Sequence, residues 1–180
     1  IILDTAEELL KENSFSEVTL AKIAEKANIS KGTLYYYYKS KNEILFAVTD
    51  RYLSRQWDEL IQWTENKEKD TSPHRLVNYV IERNIAYSGL RLHLFDAALL
   101  GDEEIRSKLI HRYDEFQKLI SSKIAERTDR VSADYFTWLI LTVSDGIIIQ
   151  NSLKNDAFDT QQFLKQSAEY IKKFENKHKA

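Results

Sequence analysis

Cysteine and methionine are absent from this 180-residue chain, proline occurs once and glycine four times. The missing cysteine excludes disulfides, thiol nucleophiles and cysteine-ligated metals, and fits a reducing cytoplasm. So little proline and glycine leaves too few turn-formers for a many-stranded sheet, and no segment alternates strictly between apolar and polar residues. The expectation is an all-α chain of about nine helices. Missing too are a glycine-rich phosphate loop, an HExxH pair and a nucleophile motif, so no enzyme is expected. His93 with Asp96 and His111 with Glu115 share helix faces, but such pairs are more often solvated; neither a metal nor a cofactor is expected. The most apolar run, Trp138 to Ile149, is too short to cross a bilayer and is broken by Asp145. With no methionine at its start, the chain is expected to have lost its natural beginning.

Charge is also scarce in one respect. Lys and Arg total 26 against 28 Asp and Glu, a net −2 with pI ≈ 6.1, so nothing advertises a bulk polyanion binder. Any such function must reside in a local patch. A 43% hydrophobic share nevertheless supports a sizeable core rather than a disordered chain.

What the chain does have is concentrated between Thr19 and Leu45, TLAKIAEKANISKGTLYYYYKSKNEIL. Ile23, Ala24 and Ala27 form an apolar strip on one short helix, and Leu34 and Tyr38 form a matching strip on a second. Asn28 stands where the chain must turn sharply, and asparagine accepts a left-handed conformation cheaply. Ser30 is placed to cap the second helix, leaving Lys31, Gly32 and Thr33 in its first turn. Ser40 followed by Glu43 reads as a capping box opening the next helix, with Lys41 at its N-terminus. A helix turns ~100° per residue, so Tyr35 to Tyr38 cannot all be buried. Lys31, Lys39 and Lys41 lie beside them, and no Asp or Glu occurs between Ala27 and Asn42. Hydroxyls and ammonium groups on a slim helix end suit phosphate contact and base reading in a major groove ~12 Å wide.

This segment resembles the helix-turn-helix of TetR/AcrR-type bacterial transcriptional regulators. Thr19, Ile23, Ala24, Ala27, Ser30, Gly32, Thr33, Leu34, Tyr35, Tyr37, Ser40, Lys41 and Leu45 match its pattern. Asn28 replaces the turn glycine, Ile29 a valine and Tyr38 a phenylalanine, while Ser14 stands where a glycine precedes the aromatic at Phe15. The resemblance implies a DNA-binding domain over residues 1–45 and an effector-binding and dimerisation domain over 46–180. It further implies a cytoplasmic homodimer that represses transcription at a palindromic operator and is released by a small molecule. Lys31, Thr33 and Tyr36 are expected at bases or nearby sugar-phosphate; Tyr35, Tyr37, Lys39, Lys41 and the Thr19 helix start are expected at phosphates, with Gly32 allowing close approach. An activator with the same motif, or a helical interaction module without DNA affinity, are the other readings left open.

The rest of the chain carries helical periodicity. A long helix is expected from Lys41 to about Asn66, another from Ser72-Pro73 to Gly89, and a short one from about Leu92 to Leu100, stopped by Gly101. Asp102 opens the next, and Asp159 with Gln162 caps the last. The family resemblance places an effector pocket among the middle helices, with Tyr52, Trp57, Asn84, Tyr87, Ser88, Phe95, Tyr113, Phe116, Trp138 and Asp145 as candidate lining. Each could equally be core. Asp145 facing a pocket would favour a cationic or hydrogen-bond-donating effector; facing a twofold seam it would be structural. The last two helices are expected to form the dimer seam through Phe136, Ile140, Ile147, Phe163, Leu164, Ala168 and Ile171.

Overall fold

A computed structural model of the chain describes residues 1–14, 16–85 and 88–177, with the side chains of 11, 88–89 and 174–177 left aside. Among the described residues there are nine α-helices and no strand. They divide into two compact units, one of Ile1–Arg55 with Leu90–Leu109, the other of Gln56–Gly89 with Ile110–Ala180.

The first unit contains α1 (Ile2–Glu12), α2 (Leu20–Lys26), α3 (Lys31–Tyr37) and the opening turns of α4 (Lys41–Glu65), with most of α6 (Ser88–Leu99) and the start of α7 (Glu103–Ala125). Its core gathers the apolar stripes of the first four helices: Ala6, Val18, Ile23, Ala24, Leu34, Ile44 and Val48 are buried together. A second cluster joins Leu45 of α4 to Leu94 and Ala98 of α6 and Ile105 and Leu109 of α7. Each buried Val, Leu or Ile among them contributes roughly 1.5–3 kcal/mol through area removed from water. The Arg51 guanidinium of α4 bonds both Asp4 and Glu7 of α1, fixing the first helix over the pair that follows.

The second unit holds the rest of α4, α5 (Pro73–Ile85), the length of α7 from Ile110, α8 (Ala133–Ser152) and α9 (Thr160–Lys177). Here α5 packs on both α8 and α9. Leu60, Leu76, Val77, Val80, Ile81, Ile120, Ile124, Ile140, Leu141, Ile147 and Leu164 make the core. The Trp63 and Tyr79 rings stack at 4.4 Å beside it. Arg127, just past α7, gathers three segments: its guanidinium donates to the carbonyl oxygens of Thr71 (2.7 Å), Lys123 (2.7 Å) and Thr64 (3.1 Å).

Three helix ends use one device. After α2, Asn28 sits at φ 53°, its N–H donating to the Glu25 carbonyl and the Ile29 N–H to that of Ala24. After α6, Gly101 sits at φ 104°, with Gly101 N–H to Ala98 and Asp102 N–H to Ala97. After α8, Lys154 sits at φ 53°, with Lys154 N–H to Asn151 and Asn155 N–H to Gln150. Each left-handed residue lets two backbone donors fold back on carbonyls the helix leaves unpaired.

The helix expected to run from Pro73 to Gly89 is corrected: α5 ends at Ile85, and Ser88 and Gly89 open α6 instead. Serine and glycine suit a helix start as well as an end, so the apolar pattern could not choose between them.

Candidate nucleic-acid interface

Local chemistry builds α2 and α3. The Thr19 hydroxyl oxygen accepts the Lys22 N–H at 3.2 Å, capping α2, and the Ser30 hydroxyl oxygen accepts the Thr33 N–H at 3.0 Å, capping α3. The Ser40 hydroxyl takes the Glu43 N–H at 3.1 Å, while the Glu43 carboxylate reaches back to the Lys39 N–H at 2.8 Å, one residue earlier than a standard capping box. The loop before α2 lacks the expected glycine at Ser14. There the Ser14 N–H and hydroxyl both donate to the Glu17 carboxylate, at 2.9 and 2.6 Å. The hydroxyl bond, then the backbone one, holds the Glu17 carboxyl below its usual range. Phe15 lies outside the described residues.

With Leu34 fully buried as its anchor, α3 presents everything else outward. Lys31, Gly32, Thr33 and Lys39 are exposed, as is Thr19, and Lys41 is half-buried. Tyr35, Tyr36 and Tyr37 are 52%, 82% and 63% exposed, with Tyr36 and Tyr37 meeting edge-to-face at 5.2 Å. Tyr38 turns back toward the core, where burial pushes its phenol pKa up. A Cβ placed on Gly32 would find only the Ser30 hydroxyl, at 3.7 Å, so the protein's own packing does not require a glycine there.

The candidate effector residues divide between the units. Tyr52 and Phe95 belong to the first, where Phe95 lies under the Arg91 guanidinium at 5.6 Å. Trp57, Asn84, Tyr113, Phe116, Trp138 and Asp145 belong to the second. There the Tyr113 hydroxyl bonds Asp145, the Tyr113 ring stacks on Trp138, and Trp57 meets Phe116 edge-on. Tyr87 and the Ser88 side chain lie outside the described residues.

Of the residues expected at a seam, three are fully buried within this chain. Ile140, Ile147 and Leu164 are 2%, 2% and 3% exposed within the chain's own core, while Phe136, Phe163, Ala168 and Ile171 are half-buried. The outward face of α8 and its C-cap is carried by Tyr135, Trp138, Leu139, Thr142, Ile149 and Leu153, of which sequence reasoning singled out only Trp138, as candidate pocket lining. Thr142 and Gly146, four residues apart in a run whose other non-apolar members are Ser144 and Asp145, were the available signal. Among the described residues, no group of three His, Asp or Glu is positioned for a metal, and no helix is long and apolar enough to cross a membrane. His111 simply faces Glu115 at 3.6 Å.

Residues 2–48 match the model of the bacterial regulatory proteins, tetR family, and this span contains the whole capped pair and α3. Over this span the chain is similar to TetR-family regulators. Among its relatives, the Fatty acid metabolism regulator protein of Bacillus subtilis (strain 168) is 31% identical over 72 residues, 38% of this chain but only 37% of that one. The HTH-type transcriptional regulator BetI of Pseudomonas fluorescens is 21% identical over 187 residues, 94% of this chain and 89% of its own. The fold recurs in a transcriptional regulator of Saccharomonospora viridis solved in complex with choline, with TM-score 0.73, 17% identity, and coverage of 95% of this chain and 93% of that one.

Proposed function

We propose that this chain is a homodimeric, cytoplasmic repressor that binds a palindromic operator through residues 1–45 and is released by a small molecule bound within residues 46–180. The observation carrying the DNA reading is α3 itself: one buried leucine, three exposed tyrosines and no acid among Lys31, Lys39 and Lys41. In this reading Lys31, Thr33 and Tyr36 reach base edges, and Gly32 lets the helix end settle into the groove. Tyr35, Tyr37, Lys39 and Lys41 hold phosphates, with the open N-terminus of α2 at Thr19 beside them.

Pairing is supported by the outward face of α8, where Tyr135, Trp138, Leu139 and Ile149 are at least 42% exposed on one side of a single helix. Apolar surface concentrated in this way marks an interaction face. Two copies related by a twofold would present two α3 helices to half-sites ~34–36 Å apart. That a structurally similar regulator was solved with choline supports a ligand-responsive second unit.

Selection of bound sequences from random duplex DNA tests the whole reading. A recovered palindrome is the expected outcome. Failure to enrich any sequence, or equal binding by wild type and a Lys31/Tyr36/Lys41 triple alanine variant, would overturn it.

A further inference from the structure

We infer that two copies of this chain pair through α8 in antiparallel register about position 144, with Ile149 and Leu153 of the second copy seated in an apolar cleft beside Tyr135 and Leu139. This rests on the homodimer reading above and specifies its interface.

The outward residues of α8 fall in a symmetric order. Tyr135, Leu139, Thr142, Gly146, Ile149 and Leu153 follow one another at alternating intervals of four and three residues, the spacing of a helix-pairing seam. Tyr135 and Leu153 lie equally far on either side of position 144, as do Leu139 and Ile149, and Thr142 and Gly146. A twofold axis crossing the helix at that point sets each member of such a pair opposite the other member in the second copy. The centre suits close approach. A Cβ on Gly146 would meet nothing within 4 Å, and small side chains at a contact let helix axes come nearer. The Thr142 hydroxyl donates to the Trp138 carbonyl of its own helix at 2.8 Å, so contact there buries no unpaired donor.

The two ends of the stripe differ in shape. A cleft of about 420 Å³ at the Tyr135 end is lined mainly by Tyr135, Phe136 and Leu139 of α8, Pro73 of α5, and Tyr170 and Ile171 of α9. Walls of this kind offer water few partners. At the other end Ile149 and Leu153 stand 46% and 70% exposed. Antiparallel pairing brings these two aliphatic side chains of each copy to the cleft of the other, so both clefts fill. Parallel pairing sets cleft against cleft and leaves both empty. Charge agrees with the antiparallel register. Asp134, in the first turn of α8, and Lys154, just past its C-cap, are exposed and again equidistant from position 144. The Asp134 carboxylate accepts from Gln117 Nε2 at 2.9 Å and Ser121 Oγ at 2.6 Å, both neutral donors. Antiparallel register turns it toward Lys154 of the second copy, whereas parallel register sets carboxylate toward carboxylate.

The test uses the absence of cysteine from the chain, which makes every thiol an introduced one. Leu139→Cys, Ile149→Cys and the variant carrying both are treated with bis-maleimidoethane, a short thiol cross-linker, once sedimentation has shown each to be a dimer. The double variant is expected to give covalent dimers in high yield, and each single variant several-fold less. Efficient cross-linking in the two single variants would overturn the inference, because like positions then meet. So would its absence in a double variant that sediments as a dimer. Should the cysteine variants not associate, charge reversal carries the test. Asp134→Lys is expected to weaken self-association several-fold, and adding Lys154→Asp is expected to restore most of it. No recovery in folded protein carrying both reversals would likewise overturn the register. Those results leave the homodimer reading intact, whereas wild type that sediments as a monomer at every concentration removes both.

Discussion

The Ser30 hydroxyl oxygen takes the Thr33 N–H at 3.0 Å and also lies 3.7 Å from where a Cβ on Gly32 would stand. The first turn of α3 is therefore capped by the residue before it, while the residue inside it is smaller than the fold demands.

Gly32→Ala separates those two facts. Alanine in a helix is more stable than glycine by roughly 0.5–1 kcal/mol, so the urea midpoint is expected to hold or rise. Binding to the selected duplex is expected to weaken because the added methyl stands between helix and groove. Undiminished DNA affinity would remove close approach as the reason for the glycine. Ser30→Ala is expected to cost about 1 kcal/mol of stability in the same measurement, since it leaves the Thr33 N–H unpaired.

Salt dependence distinguishes phosphate holders from base readers. Lys41→Ala is expected to reduce the slope of log affinity against log salt by about 0.9 for every sequence alike. Thr33→Ala or Tyr36→Ala is expected to change the ranking of sequences instead. Competition titrations at several salt concentrations read both.

Gly146 lies mid-helix on α8, where a Cβ would meet nothing within 4 Å. For the isolated subunit Gly146→Ala is therefore expected to be stabilising by up to about 1 kcal/mol. If a second subunit lies across this face, the same methyl intrudes on it. Sedimentation of the variant is expected to show weaker self-association together with a higher melting temperature at high dilution.

Arg127 makes a different prediction, because its fork bonds carbonyls of Thr64, Thr71 and Lys123 at once. Arg127→Ala is expected to lower stability by roughly 2–3 kcal/mol. Arg127→Lys is expected to recover little, since an ammonium cannot reproduce a planar fork. Chemical denaturation of the three proteins measures both.

The Ser14–Glu17 turn carries a pH signature. The Glu17 carboxyl pKa is depressed from 4.5 by the Ser14 hydroxyl and then its N–H, so the turn's contribution is complete above 4.5 and is lost as pH falls through the lower folded value. Hydrogen exchange at the Ser14 amide is expected to lose protection below that range, and in Ser14→Ala the Glu17 pKa is expected to move back toward 4.5.

The helix-turn-helix was legible because everything that shapes it is local. Asn28, Thr19, Ser30 and Ser40 act on backbone groups within a few residues, and each does in the structure what its spacing implied. The orientation of α8 was not legible. A helix apolar nearly all the way round has no pattern to say which side is core, so Ile140 and Ile147, expected at a seam, lie buried in the chain's own core, while Tyr135 stands exposed on the other side. The direction of Asp145 was likewise undetermined, since its partner Tyr113 lies 32 residues away on another helix.

Asp102 serves two masters. Its Oδ1 caps α7 through the Ile105 N–H at 3.0 Å, and its Oδ2 receives Asn42 Nδ2, next to Lys41, at 3.3 Å. A displacement of the α7 start must either snap that second bond or drag the root of α4 along, so one shared carboxylate makes the stance of Lys41 answerable to a helix sixty residues downstream.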